Sequence, residues 1–225
     1  MIFIALIASV LIGSLLGWYF SKTKLIPSLL LTFSGAFLLT ITVLEIFPKI
    51  YASDFLVTNG LFILLGVFIQ LLLESITKGA EHGHIHTSKN NEFPLAIFVG
   101  LFLHAFIEGV PLHSDTDNHL LTAIVIHKIP VALILFTFIA SITDKWHKQA
   151  LFMLVFALAS PIGYLVGDFI PTEWMMPTMA IVSGIFLHIS TVIIFESSDN
   201  HKLKQRKVIS LALGFLLAYL TLHQH

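Results

Sequence analysis

Two short stretches hold residues that can do chemistry in otherwise apolar surroundings. In LFLHAFIEGVPL, residues 101–112, His104 and Glu108 stand four apart. On a helix that spacing places both side chains on one face. In IHKIPVAL, residues 126–133, His127 is followed directly by Lys128. Imidazole nitrogens and carboxylate oxygens are good ligands for a divalent transition metal. His104, Glu108 and His127 therefore form a candidate metal set. The His104–Glu108 pair alone can equally be a hydrogen-bonded link between helices. Lys128 is of another kind, because a protonated amine cannot coordinate a metal. Its burial requires a counter-charge, and Glu108 and Glu45 are the candidates. In that role the ammonium stands in for a second cation and balances the site when metal is absent. Pro111 and Pro130 sit beside these residues. Neither can bond to the carbonyl four residues back, on Ile107 and Ile126 respectively. A freed carbonyl at membrane depth needs protein, water or an ion against it. A plain proline kink is the alternative.

The elements that must position these side chains follow from composition. The chain has 225 residues, 56% hydrophobic and 11% charged, with a mean hydropathy of +0.92. A soluble domain carries about 25% charged residues, so this chain lacks the charge to cover a water-facing surface. Eight stretches approach the roughly 20 apolar residues that a membrane span needs: 2–20, 27–47, 55–76, 94–112, 120–142, 149–170, 174–195 and 207–222. The expected fold is an all-α polytopic membrane protein of eight helices, a single transmembrane domain over 1–225. The first stretch lacks a basic start and a small-residue cleavage signal, and reads as a retained helix. Net charge is −1, which gives no case for nucleic acid, and the absence of cysteine removes thiolate sites and thiol nucleophiles.

Ten of the twelve basic residues fall on one side of these spans: Lys22, Lys24, Lys78, Lys89, Lys145, Lys148, Lys202, Lys204, Arg206 and Lys207. Lys49 alone lies on the other, and Lys128 is inside a span. The positive-inside rule places the ten in the cytoplasm. Both termini then face outward and the 77–93 connection faces inward. GSLLG and GYLVG, residues 13–17 and 163–167, have the small-xxx-small spacing of closely packed membrane helices, or are ordinary glycine filler.

Other ionisable groups lie within the spans or near their ends. His188 lies deep in the seventh span, Glu45 within the last turn of the second, and Glu74 and Glu196 near span ends, where snorkelling explains a charge. EHGHIH, residues 81–86, places His82, His84 and His86 in the inner loop. These can bind or sense a metal ion, or be a polar linker. HSDTDNH, residues 113–119, can gather cations at an outer entrance through His113, Asp115, Asp117 and His119, or be a solvated turn.

The chain resembles the ZIP family of zinc and iron permeases. His104 to Gly109 looks like the family's H-x-x-x-E-G signature in span four, and His127-Lys128 like the H-K form of one branch in span five. SGAFLLTITVLEIFP, residues 34–48, is similar to the span-two stretch ending in H-x-x-P, with Glu45 where histidine is usual. SPIGYLVG, residues 160–167, and GIFLHIS, residues 184–190, match the span-six and span-seven patterns, with His188 in place of tyrosine. The resemblance implies a 3+2+3 arrangement in which spans one to three and six to eight are inverted repeats around spans four and five. It implies one transported-metal site of His104, Glu108 and His127, completed by Glu45, His188 or water. Ala105 and Val131 depart from the polar residues of many relatives, and Lys128 occupies the place that bridges a second metal in two-metal relatives. The expected function is zinc uptake by alternating access, with Fe²⁺, Mn²⁺, Co²⁺ and Cd²⁺ as other cargoes and no bound cofactor. The rivals are an intramembrane zinc-dependent hydrolase and a metal exporter. A bacterial inner membrane and a homodimer complete the expectation.

Overall fold

The computed structural model describes residues 1–21, 23, 25–52, 56–77, 79, 95–196 and 205–223. Among the described residues the regular structure is all helical. Eight helices are long and apolar enough to cross a membrane: α1 (Ile2–Phe20), α2 (Leu25–Tyr51), α3 (Leu56–Thr77), α4 (Leu95–Ser114), α5 (His119–Ile142), α6 (Trp146–Gly167), α7 (Thr172–Glu196) and α8 (Gln205–Leu222). Helix is what an apolar span must form, since hydrocarbon offers no partners for backbone N–H and C=O groups. Span hydroxyls turn inward to the same ladder: Thr40 donates to the Ala36 carbonyl at 2.8 Å and Ser190 to that of Phe186 at 2.6 Å.

Two helices depart from regular α geometry. α2 contains a π turn at Thr42–Ile46, then resumes as Phe47–Tyr51 with Pro48 in its first turn. It thereby runs past the end suggested by hydropathy. α4 tightens into a 3₁₀ turn at Val110–Ser114, where Pro111 removes an N–H from the α ladder. α5, α6 and α7 continue through Pro130, Pro161 and Pro177.

The helices pack as two groups of four. α1, α4, α5 and α6 form one, through α1–α5, α4–α6, α1–α6 and α5–α6 contacts. α2, α3, α7 and α8 form the other, through α3–α7, α2–α8 and α2–α7. The groups meet mainly along α2–α5 and α3–α4. Glycines separate the two kinds of seam. A Cβ on Gly13 or Gly17 of α1 would strike the α5 backbone, and one on Gly109, Gly163 or Gly167 would strike backbone across the α4–α6 seam. Gly66 and Gly184 play the same part between α3 and α7, and Gly214 between α8 and α2. All these backbone-tight contacts lie inside a group. Across the groups, a Cβ on Gly100 of α4 would meet the Thr77 and Ile76 side chains of α3 rather than backbone. Each group is thus keyed internally by glycines, and among the described residues no glycine keys one group's backbone to the other's.

That keying is testable. Gly163→Ala pushes a methyl into the Phe106 carbonyl and should destabilise the detergent-solubilised protein by about 1–3 kcal/mol, the usual cost of overpacking. Gly60→Ala, with nothing within 4 Å of its new methyl and a helix position that favours alanine over glycine, should not lower the thermal midpoint. Equal midpoints for the two variants would refute the close-packed seam.

Candidate metal centre

One turn of α4 brings His104 Nε2 to 3.0 Å from Glu108 Oε1, with both side chains 2% exposed. Their helix is pressed to α6 through Gly109, which fixes the depth of this face. α5 supplies His127, 1% exposed, with its ring centroid 6.2 Å from that of His104 and the ring planes at 77°. One ligand atom from each of the three lies within 4.8 Å of the others. Donors around a tetrahedral zinc stand about 3.3 Å apart for bonds of about 2.0–2.1 Å, so small side-chain movements convert this cluster into a coordination shell. Neither ring nitrogen of His127 has a hydrogen-bond partner among the described residues. A buried polar group in that condition costs about 1–3 kcal/mol. An inserted cation would satisfy it.

Lys128 projects into the same group and is 2% exposed. Its Nζ donates a hydrogen bond to Ser160 Oγ and lies 5.5 Å from the centroid of the Phe156 ring. Ser160 in turn donates to the Ala105 carbonyl at 2.5 Å. Neither expected carboxylate is in ion-pair contact with Lys128. Glu108 faces His104 and acts on the ammonium only across space, while Glu45 is committed elsewhere. A hydroxyl and an aromatic face hold the cation instead.

Glu45 lies at the end of the bundle where α4 meets α5. Lys49 Nζ is 2.7 Å from Glu45 Oε1 and 2.7 Å from Asp117 Oδ2, and His119 Nδ1 is 3.2 Å from Glu45 Oε1. Glu45, Asp117 and His119 form a second cluster with metal-compatible spacing. It borders a cavity of about 140 Å³ lined by Asp115, His119, Met175, Met176 and Met179 among others. The Lys49 ammonium beside Asp117 holds that carboxyl below the usual carboxylate range. Burial pushes Asp115 up, opposed by the Leu121 amide, which donates to its Oδ2 at 2.9 Å. At the same end His113 Nδ1 meets Asp168 Oδ1 at 2.6 Å.

His188 is also apart from the centre. Its Nε2 lies 2.7 Å from Glu74 Oε2, joining α7 to α3 toward the opposite end. Gln70, one turn before Glu74 on α3, reaches the centre itself: its Oε1 is 3.3 Å from His104 Nδ1. Of the five residues read as ligands from sequence, the structure therefore brings together His104, Glu108 and His127, and places Glu45 and His188 at separate stations on either side. His82, His84 and His86 lie outside the described residues, as do Lys22, Lys24, Lys78, Lys89, Lys202 and Lys204.

Ser160 and Gln70 escaped a search for ionisable groups because both are neutral. Gln70 had a signal: it is the sole hydrogen-bonding side chain in LFILLGVFIQLLL, residues 61–73. The π turn had none, and it changes the phase of Glu45 relative to a regular helix.

Comparison with known proteins bears on the same residues. The model of the family described as ZIP Zinc transporter matches residues 93–221, a stretch that contains all three residues of the centre. Protein zntD of Dictyostelium discoideum is 32% identical over 147 residues, covering 55% of this chain. The chain spans 22% of that relative's length.

Proposed function

The chain belongs to the ZIP zinc transporter family, and from that premise we propose that it carries divalent transition metal, zinc foremost, through one central site into the cytoplasm. It is an integral membrane protein, with eight apolar spans, and its family is one of transporters rather than hydrolases. The observation that carries the proposal is the buried trio of His104, Glu108 and His127, with both His127 nitrogens lacking a hydrogen-bond partner among the described residues. Two nitrogens and one carboxylate suit Zn²⁺ and leave a position for water.

The stations fall in order along the bundle. With the termini outside, the Glu45–Asp117–His119 cluster is the entrance, where Lys49 holds the carboxylates until a divalent cation competes for them. The ion then sheds water against His104, Glu108 and His127. Glu74 and His188 receive it next, ahead of the inner loop. Access alternates as the α1/α4/α5/α6 group shifts against α2/α3/α7/α8. In support, all three ligands ride on one internally keyed group, and among the described residues no glycine makes a backbone-tight seam between the groups. Each group also joins early helices to late ones, α1 with α6 and α2 and α3 with α7 and α8, as inverted repeats would.

Purified protein in liposomes should give saturable ⁶⁵Zn²⁺ flux down its gradient, and intact cells should show net uptake. Vesicles with no saturable flux would overturn the proposal, and net efflux from cells would reverse its direction. The entrance makes its own prediction. Asp117→Asn should raise the half-saturating zinc concentration about threefold at low salt, converging with the parent as salt screens the exposed charge. Turnover at saturation should hold. A variant matching the parent at every salt concentration would remove Asp117 from the entrance.

A further inference from the structure

We propose that Gln70 is a positioning residue for metal capture: its amide oxygen holds the His104 imidazole with Nδ1 protonated and Nε2 directed at the ion. The inference rests on the reading of His104, Glu108 and His127 as the cargo site.

Gln70 is fully buried at 0% exposure within an apolar run of α3. An amide there is costly unless it is bonded, so its contact is specified rather than incidental. An amide oxygen can only accept, and Gln70 Oε1 faces His104 Nδ1 at 3.3 Å. Nδ1 therefore carries the proton. The other nitrogen, Nε2, points to Glu108 at 3.0 Å, toward the space shared with His127. A ligating histidine is commonly oriented in this way, by a hydrogen bond from the ring nitrogen that does not touch the metal.

The location of this contact adds a second consequence. The polar contacts that Glu108 and Lys128 make stay inside the α1/α4/α5/α6 group: Glu108 with His104, and Lys128 with Ser160. Gln70 belongs to the other group. At 3.3 Å the bond is already near the long limit of hydrogen-bonding distance, so a small shift of one group past the other breaks it. The imidazole then loses its orientation, and the ion loses its best-aligned ligand. Gln70 thus ties the affinity of the centre to the relative position of the two groups, tight in this arrangement and weaker after the shift.

The test uses the full chain in detergent, with Zn²⁺ titrated calorimetrically and the histidines labelled with ¹⁵N. Gln70→Leu keeps bulk and removes the acceptor. Gln70→Glu keeps an accepting oxygen at the same reach. Gln70→Leu should weaken zinc binding about 10–100-fold at unchanged stoichiometry, the usual effect of losing such a partner, and should shift the His104 ¹⁵N signals away from the Nδ1–H pattern. Gln70→Glu should retain that pattern and most of the affinity. In vesicles Gln70→Leu should raise KM without lowering kcat, because release needs the contact broken. Parent-like binding and ¹⁵N signals in Gln70→Leu would overturn this inference alone. So would equal impairment of both variants with the tautomer unchanged, the result of a merely structural role. A parent protein with no His104-dependent zinc binding would overturn the cargo-site reading, and this inference with it.

Discussion

His127→Leu should weaken zinc capture by about 10²–10³-fold while making the protein no less stable without metal. His127 is 1% exposed and neither ring nitrogen has a hydrogen-bond partner among the described residues. Leucine removes that unsatisfied pair, worth about 1–3 kcal/mol, and fills much of the same space with apolar atoms. Stability should therefore hold or rise. Binding should fall steeply. Structural zinc sites with four ligands bind with about 10–16 kcal/mol, so one ligand is worth on the order of 3 kcal/mol, or about 10²–10³-fold in affinity. Zinc titration and thermal unfolding, each with and without metal, read the two effects on one sample. The parent should gain thermal stability with zinc and the variant should not. A helix-linking role predicts the reverse: lower stability in the metal-free protein and no change in its response to zinc. His104→Ala and Glu108→Gln should weaken binding as His127→Leu does, since each removes one side of the 3.0 Å approach of His104 Nε2 to Glu108 Oε1.

The contrast among these residues explains what the sequence could disclose. Spans are written in hydropathy, because a helix in hydrocarbon must be apolar over its length, and the eight helices stand where eight apolar runs occur. His104 and Glu108 were legible because an i, i+4 pair within one helix depends on helical geometry alone. His127 was legible because an imidazole deep in a span needs a reason. Contacts between helices are another matter. Glu45 was a candidate ligand by its place in the span-two resemblance, and it stands instead with Lys49 and His119, beside the π turn at Thr42–Ile46. His188 and Glu74 meet across 114 positions of sequence, and each alone looks like a separate feature. Lys128 announced its need for a partner, but a charge-based search sought a carboxylate. The partner is the Ser160 hydroxyl, brought close because glycines on both α4 and α6 let their backbones touch.

Lys128→Met should bind zinc more tightly and turn over more slowly. We take the ammonium as the resident counter-charge of the centre. It is buried against Ser160 Oγ and the Phe156 ring, and attracts Glu108 across space without pairing to it. When zinc arrives, Lys128 repels it. At an effective dielectric of about 20, two unit charges about 6 Å apart interact by roughly 3 kcal/mol, so even partial relief should tighten binding at least about tenfold. The empty centre has the opposite problem. In the proposed alternating-access cycle, Lys128 balances the negative charge of Glu108 when the empty helix group returns. In Lys128→Met that return moves an uncompensated carboxylate through a low-dielectric interior, which should slow turnover at saturating zinc by about tenfold or more. Protonating Glu108 would neutralise the charge instead, so turnover of the variant should rise as pH falls from neutrality. The parent should fall over the same range, because protons compete with zinc for its ligands. Zinc flux in liposomes from pH 7.5 down to about 5.5 measures both slopes. Parallel pH profiles with equal maximal rates would mean that the ammonium carries no charge-balancing role. Crossing profiles would mean that a lysine takes over the electrostatic work of a second metal ion, and that it does so chiefly for the empty carrier.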